Sequence, residues 1–205
     1  MVYKYKKMIS DIRQDLAKYA EQYQHNSSKP ANMLSVLIHS PAFYVVASYR
    51  ILYWLKMSQE RSGSHILKIL FLGLRIITNA YSMLVVKIQI THWPEIGPGL
   101  YLSNKGGIII GPKRIGANCV IHHNVTIGVN RTRDHPEIGD NFWIGHNSVI
   151  CGQVIKDNVI VMPNTIVGKN IPEGVVIKGN PGKIVRKEIE NSRFLSNSAY
   201  SLKDE

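Results

Sequence analysis

The sequence predicts two unlike halves: an α-helical region over residues 1–90 and a coil of short β-strands over residues 91–187, with a polar tail at 188–205. Three observations carry this reading. Residues 1–90 hold only two of the nine prolines and two of the sixteen glycines, and their apolar residues recur every three to four positions. From residue 96 onward an aliphatic residue returns every six positions, often followed by glycine. Hydrophobic residues make up 44% of the 205, enough for a sizeable core.

The helical half can be read in order. Met8, Ile9, Ile12, Leu16 and Tyr19 line one face of a first helix. Ser27-Ser28-Lys29-Pro30 is a loop. Ser40-Pro41 opens another helix, with proline in its first turn, and that helix carries Phe43, Val46, Tyr49, Arg50, Leu52, Tyr53 and Leu55. Ser62-Gly63-Ser64 breaks it, and residues 65–90 form a long apolar stretch. Lys68, Arg75 and Lys87 interrupt that stretch. Its longest uncharged run, Ile76–Val86, has 11 residues, short of the roughly 20 a membrane span needs. Two readings stay open: a bundle packed on the second half or on a sister subunit, or a helix lying on an anionic membrane surface, with Tyr53 and Trp54 as exposed aromatics.

In the second half the recurring residue stands at Ile96, Leu102, Ile108, Ile115, Ile121 and Ile127, then at Ile138, Ile144, Ile150, Ile155, Val161 and Val167. The step from 108 to 115 is one residue long and that from 150 to 155 one short. A small or apolar residue follows four places on, as at Cys119, Val125, Ser148 and Thr165. This period fits neither a helix nor a hairpin. It fits short strands joined by tight corners, wound so that the aliphatic positions point inward.

Charge narrows the partners. Of the formal +11, residues 1–90 contribute +8 from 12 Lys and Arg against 4 Asp and Glu. Such a surface favours anionic lipid or a phosphorylated cofactor; a nucleic-acid partner is not expected, since no recognition module accompanies the charge. Cys119 and Cys151 make neither a disulfide framework nor a four-cysteine zinc site. His122, His123, Asp134 and His135 lack a fixed third ligand, so no metal is expected. With no basic-apolar-cleavage pattern at the start, a cytoplasmic protein is expected.

The repeat resembles that of the hexapeptide-repeat acyltransferases, whose fold is a left-handed parallel β-helix with three hexads per triangular coil. Twelve hexads imply four coils. Pro41-Ala42-Phe43 with Ser48-Tyr49-Arg50, Val125-Thr126-Ile127-Gly128, the segment Asp134-His135-Pro136-Glu137-Ile138-Gly139-Asp140-Asn141, and Gly179-Asn180-Pro181-Gly182-Lys183-Ile184-Val185 are similar to motifs of serine acetyltransferases. They are also similar to motifs of the O-acetyltransferases of colanic acid and capsular polysaccharide. The resemblance implies acetyl-CoA as co-substrate, a homotrimer, and a pantetheine groove along the coil. Val129, Gly145, His146, Met162 and Pro163 would line that groove, with Lys169 and Lys183 meeting the phosphates.

The acceptor side departs from the serine acetyltransferase pattern. Asn104 stands where that family has a catalytic histidine, Gln89 near its aspartate, and Asp134 at its carboxylate-reading arginine, with Arg133 one place away. The expected reaction is therefore acetyl transfer to a sugar hydroxyl of a surface polysaccharide or its precursor, with serine a poor acceptor. A serine O-acetyltransferase of cysteine synthesis and a non-catalytic scaffold are the alternatives.

The chemistry needs a base to take the acceptor's proton, and a neutral histidine titrates in the useful range. Asn104, His123 and His146 each lie two residues past a repeat aliphatic. With Pro163 they should stack in one column about 4.8 Å apart. His123 is the expected general base and His135 its helper, or the reverse. Asn104, His122, Arg133 and Asp134 are the expected acceptor-binding residues.

Overall fold

The computed structural model describes residues 5–26, 33–91, 93–129, 134–187, 191 and 194–195. Four helices come first: α1 (Tyr5–Asn26), α2 (Met33–His39), α3 (Pro41–Ser62) and α4 (His65–Tyr81). A π-helical turn, Ser82–Val86, prolongs α4. Its last residue is followed by Lys87 in the left-handed region, which turns the chain into the first strand. Pro41 sits at the start of α3 and Gly63 closes it at φ 61°, so proline and glycine bracket the helix as their backbone limits favour.

Among the described residues fifteen strands follow, on three faces. The first face holds β1 (Ile88–Ile90), β4 (Ile108–Ile110), β7 (Thr126–Gly128), β10 (Val149–Cys151) and β13 (Ile166–Val167). The second holds β2 (Glu95–Ile96), β5 (Arg114–Ile115), β8 (Glu137–Ile138) and β11 (Val154–Ile155). The third holds β3 (Tyr101–Leu102), β6 (Val120–Ile121), β9 (Trp143–Ile144), β12 (Ile160–Val161) and β14 (Val175–Lys178), all parallel, with β15 (Lys183–Lys187) antiparallel at the edge. This is a left-handed parallel β-helix of about four turns, with aliphatic side chains stacked along its axis.

The register corrects one position in the repeat. Ile110, not Ile108, pairs with Ile127 on the first face. Two extra residues lie between Leu102 and Ile110, and the step from Ile110 to Ile115 is one short of six. The net displacement is still 19 residues between Leu102 and its partner Ile121. Both Ile108 and Ile110 are buried, which is why the sequence alone did not separate them. Cys119, Val125, Ser148 and Thr165 are fully buried.

Asparagine makes the corners. Asn118, Asn124, Asn141, Asn147, Asn158 and Asn164 all have φ between 54° and 59°, the left-handed region in which asparagine is the best-tolerated side chain after glycine. Their amides form two ladders. Asn118 donates to Asn141, which donates to Asn158; Asn124 donates to Asn147, which donates to Asn164. Each stands three residues past a repeat aliphatic, a signal present in the sequence that the six-residue reading overlooked.

The helices seal the first coil. The Asp15 carboxylate accepts from the Gly99 and Leu100 amides at 2.8 and 2.9 Å. It also accepts from Arg50 Nε and Nη2. Arg50 donates onward to the carbonyls of Ile96 and Gly97. Tyr19 Oη donates to Leu102 O at 2.9 Å and accepts from Leu102 N at 3.1 Å. Tyr49 Oη donates to Pro94 O. Burial raises the Asp15 pKa against the opposing pull of Arg50 and the two amides.

Helix α4 packs through Leu67, Phe71 and Leu74 on Leu52 and Leu55 of α3 and on Trp93. Its other face is open. Over His65–Val86 the helix is, by length and composition, long and apolar enough to cross a bilayer, although its uncharged run is short. Tyr53 and Trp54 are not exposed as expected: Tyr53 lies against Tyr49, and Tyr5 meets Trp54 edge-on.

Two stability outcomes follow from this packing. Replacing Asp15 with Ala removes the bidentate carboxylate from the buried Arg50 guanidinium, leaving the Asp11 carboxylate 3.9 Å away, and takes the acceptor from the Gly99 and Leu100 amides; unfolding in denaturant should show a loss of about 3 kcal/mol. A Cβ at Gly97 would lie 2.6 Å from Ala117 N, whereas one at Gly168 meets nothing within 4 Å. Gly97→Ala should therefore lower the melting temperature clearly, and Gly168→Ala should change stability by no more than about 0.5 kcal/mol.

Candidate active site

Register alone builds the site on the third face. Leu102, Ile121, Ile144 and Val161 are successive partners, so the residues two places on, Asn104, His123, His146 and Pro163, form one column at a corner. The rings of His123 and His146 stack with centroids 5.1 Å apart and planes within 5°. Both are half-buried. Burial first, and then His146 and Lys105, lower the His123 pKa. At neutral pH the ring is therefore uncharged, the form in which an imidazole accepts a proton.

His135 sits where the chain re-enters the coil after β7. Its Nδ1 lies 2.8 Å from Gly111 O. A carbonyl only accepts, so Nδ1 carries a proton, and in the neutral tautomer the lone pair is then on Nε2. This backbone contact orients the ring as a base must be oriented. Asp134 is exposed. Arg133 lies outside the described residues.

His122 faces the other way. It is 9% exposed, tilted on the Trp143 ring at 4.8 Å, and its Nε2 has no hydrogen-bond partner among the described residues. Burial, aided by His123, His146 and Lys105, lowers its pKa to about 4. It is a neutral packing residue in this structure, not an open acceptor group.

Asn104 has a structural partner. Its Oδ1 accepts from the Ala42 amide at 3.1 Å, in the first turn of α3, where Ser40 supplies no side-chain cap. The expected groove residues divide. Val129 is 43% exposed, and Lys169 and Lys183 are exposed. Gly145 is buried against Pro163. Met162 is 6% exposed, in a cluster with Trp143, Ile160 and Val176 that Phe194 and Leu195 also join. The sequence reading did not find the Gly111 carbonyl as the His135 anchor. Nothing local signals it, because the two are 24 residues apart and meet only through the coil.

No family profile matches the chain. It is 35% identical over 106 residues to the serine acetyltransferase of Staphylococcus epidermidis, covering 49% of this chain and 50% of that protein. The chain thus spans about half the length of that curated relative. The serine acetyltransferase of Neisseria gonorrhoeae solved in complex with serine superposes with a TM-score of 0.71 at 25% identity, over 89% of this chain and 70% of that one. A serine acetyltransferase solved with CoA gives 0.69 at 23% identity, over 88% and 71%.

These likenesses overturn the sugar acceptor. The similar proteins are serine acetyltransferases in sequence and in structure, and the resemblance to colanic acid and capsular O-acetyltransferases finds no support. The physical reason for the error is visible at Asn104. The departure from histidine there suggested altered acceptor recognition, but that side chain caps a helix.

The His122 environment gives a stability test. A histidine whose folded pKa is depressed costs nothing above its unfolded value near 6.5. Its penalty grows as pH falls from there toward about 4, where it reaches on the order of 3 kcal/mol. His122→Phe should therefore leave stability nearly unchanged at pH 7.5 and raise it relative to the parent at pH 5. Equal denaturation midpoints at pH 5 would contradict the buried neutral ring. In fold, the chain shares with the solved serine acetyltransferases a left-handed β-helix of hexapeptide repeats.

Proposed function

We propose that this chain is a serine O-acetyltransferase, moving acetyl from acetyl-CoA to the hydroxyl of serine, as in cysteine synthesis. The observation that carries the reading is the coincidence of sequence and structural likeness on serine acetyltransferases, among them one solved with serine and one with CoA.

In this reading the serine hydroxyl attacks the thioester carbonyl, its proton passes to a histidine, and CoA leaves as the thiol. His135 is the general base. Its Nδ1–H is held by Gly111 O, so Nε2 is the basic nitrogen and its direction is fixed. His123, neutral and stacked on His146, lines the acceptor side. The exposed Lys169 and Lys183 meet the CoA phosphates, and the chain works as a cytoplasmic homotrimer.

The test is release of the CoA thiol from acetyl-CoA with L-serine as acceptor. Turnover is expected for the parent. His135→Ala should lower it about 10²-fold or more, with His123→Ala less damaging and acetyl-CoA affinity retained in both. A dead His123→Ala beside an active His135→Ala would reverse the assignment. No turnover on serine would remove the serine reading.

A further inference from the structure

The second half of the molecule exposes apolar residues singly, such as Ile109 and Val185, whereas α4 exposes them as one face. Ile66, Ile69, Ile76, Ile77 and Leu84 are each about two-thirds exposed or more, and Leu70 is 53% exposed. At about 100° per residue, the exposed apolar positions of α4 fill one continuous arc of roughly 160°. Leu67, Phe71 and Leu74, which pack on α3 and Trp93, lie on the opposite side. Lys68 and Arg75, seven residues apart, stand together at one border of that arc, and Arg75 lies partly over the Trp93 ring. From Arg61 through Pro94 there is no Asp or Glu, and Lys87 adds a further exposed cation at the helix end.

We infer that this face of α4, continued by Met83–Val85, is a docking surface for an anionic lipid membrane, with the helix lying in the plane of the interface. An apolar arc seats in the acyl boundary while bordering cations reach the headgroups. Charge decides against a second copy of the chain. An isologous contact of this face on itself would bring Lys68 and Arg75 of both copies into one interface, with no carboxylate in the segment to pair them. Geometry decides against crossing. The 22-residue helix is about 33 Å long. Its start is tied to α3 through the short Gly63-Ser64 turn, and its end feeds β1 directly. Crossing would strip Phe71 from Leu52 and Leu55. Lying flat leaves every one of those contacts in place.

The experiment is co-sedimentation of the full chain with vesicles of phosphatidylcholine alone or with about a third phosphatidylglycerol, at low and at high salt. Binding to the anionic vesicles is expected at least about tenfold above the neutral ones, and weaker at high salt. Ile69→Asp with Ile76→Asp should abolish binding, and Lys68→Glu should weaken it about fivefold or more. Circular dichroism and oligomeric state are measured on each variant. Equal sedimentation with both vesicles, or binding unchanged in the double Asp variant, overturns the inference. So does an absence of vesicle binding by the parent together with dissociation of the double Asp variant to smaller species, which would assign the face to a contact between copies. A double variant that fails to fold passes the decision to Lys68→Glu and to salt.

Discussion

Everything in this molecule depends on how the open edge of the first coil is closed. A parallel β-helix pairs each coil with the next, so its first coil presents carbonyls and amides with no strand before them. Here Asp15, Tyr19, Tyr49 and Arg50 satisfy them from two helices. The Arg50–Asp15 pair is buried, and a buried ion pair by itself contributes little net stability. Its value lies in the backbone partners on both sides, which fix α1 and α3 in one register against the coil. At the other end, β15 folds back antiparallel on β14 and closes the third face.

From that fixed start the coil propagates its own geometry. The asparagine ladders hold the corners in the left-handed region, and each amide bonds to its counterpart one coil on. Any side chain two residues past a repeat aliphatic therefore inherits an almost constant spacing from its neighbours. The stacked His123 and His146 rings are the product of this regularity, not of a local motif. A site built on such a scaffold is rigid before any ligand arrives, which is what the proposed acyl transfer would ask of its base.

The same regularity explains why one column serves two purposes. Its first member, Asn104, lies beside the helical cap and is used there, holding the start of α3. The next members, His123, His146 and Pro163, are half-buried, and the first two are the ones the proposed function uses. His122, one residue before the column, turns into the Trp143 cluster and is neutralised by burial. Neighbours in sequence thus end in opposite environments because a strand corner sends consecutive side chains to opposite sides.

The sequence by itself determined the division into helices and coil, the inward aliphatic positions and the histidine column, because all of these rest on periodicity, and periodicity is local. The correction from Ile108 to Ile110 marks the limit: two isoleucines on one strand both face the core, and only the pairing with Ile127 distinguishes them. The Arg50–Asp15 contact, the anchoring of His135 by Gly111 and the capping role of Asn104 were decided by tertiary structure alone. Each joins residues far apart in the chain, with a separation of 35 positions for Arg50 and Asp15, 24 for His135 and Gly111, and 62 for Ala42 and Asn104. No propensity or spacing encodes such meetings. They arise because unpaired backbone groups at the end of a coil accept only the side chains that the packed helices bring to them.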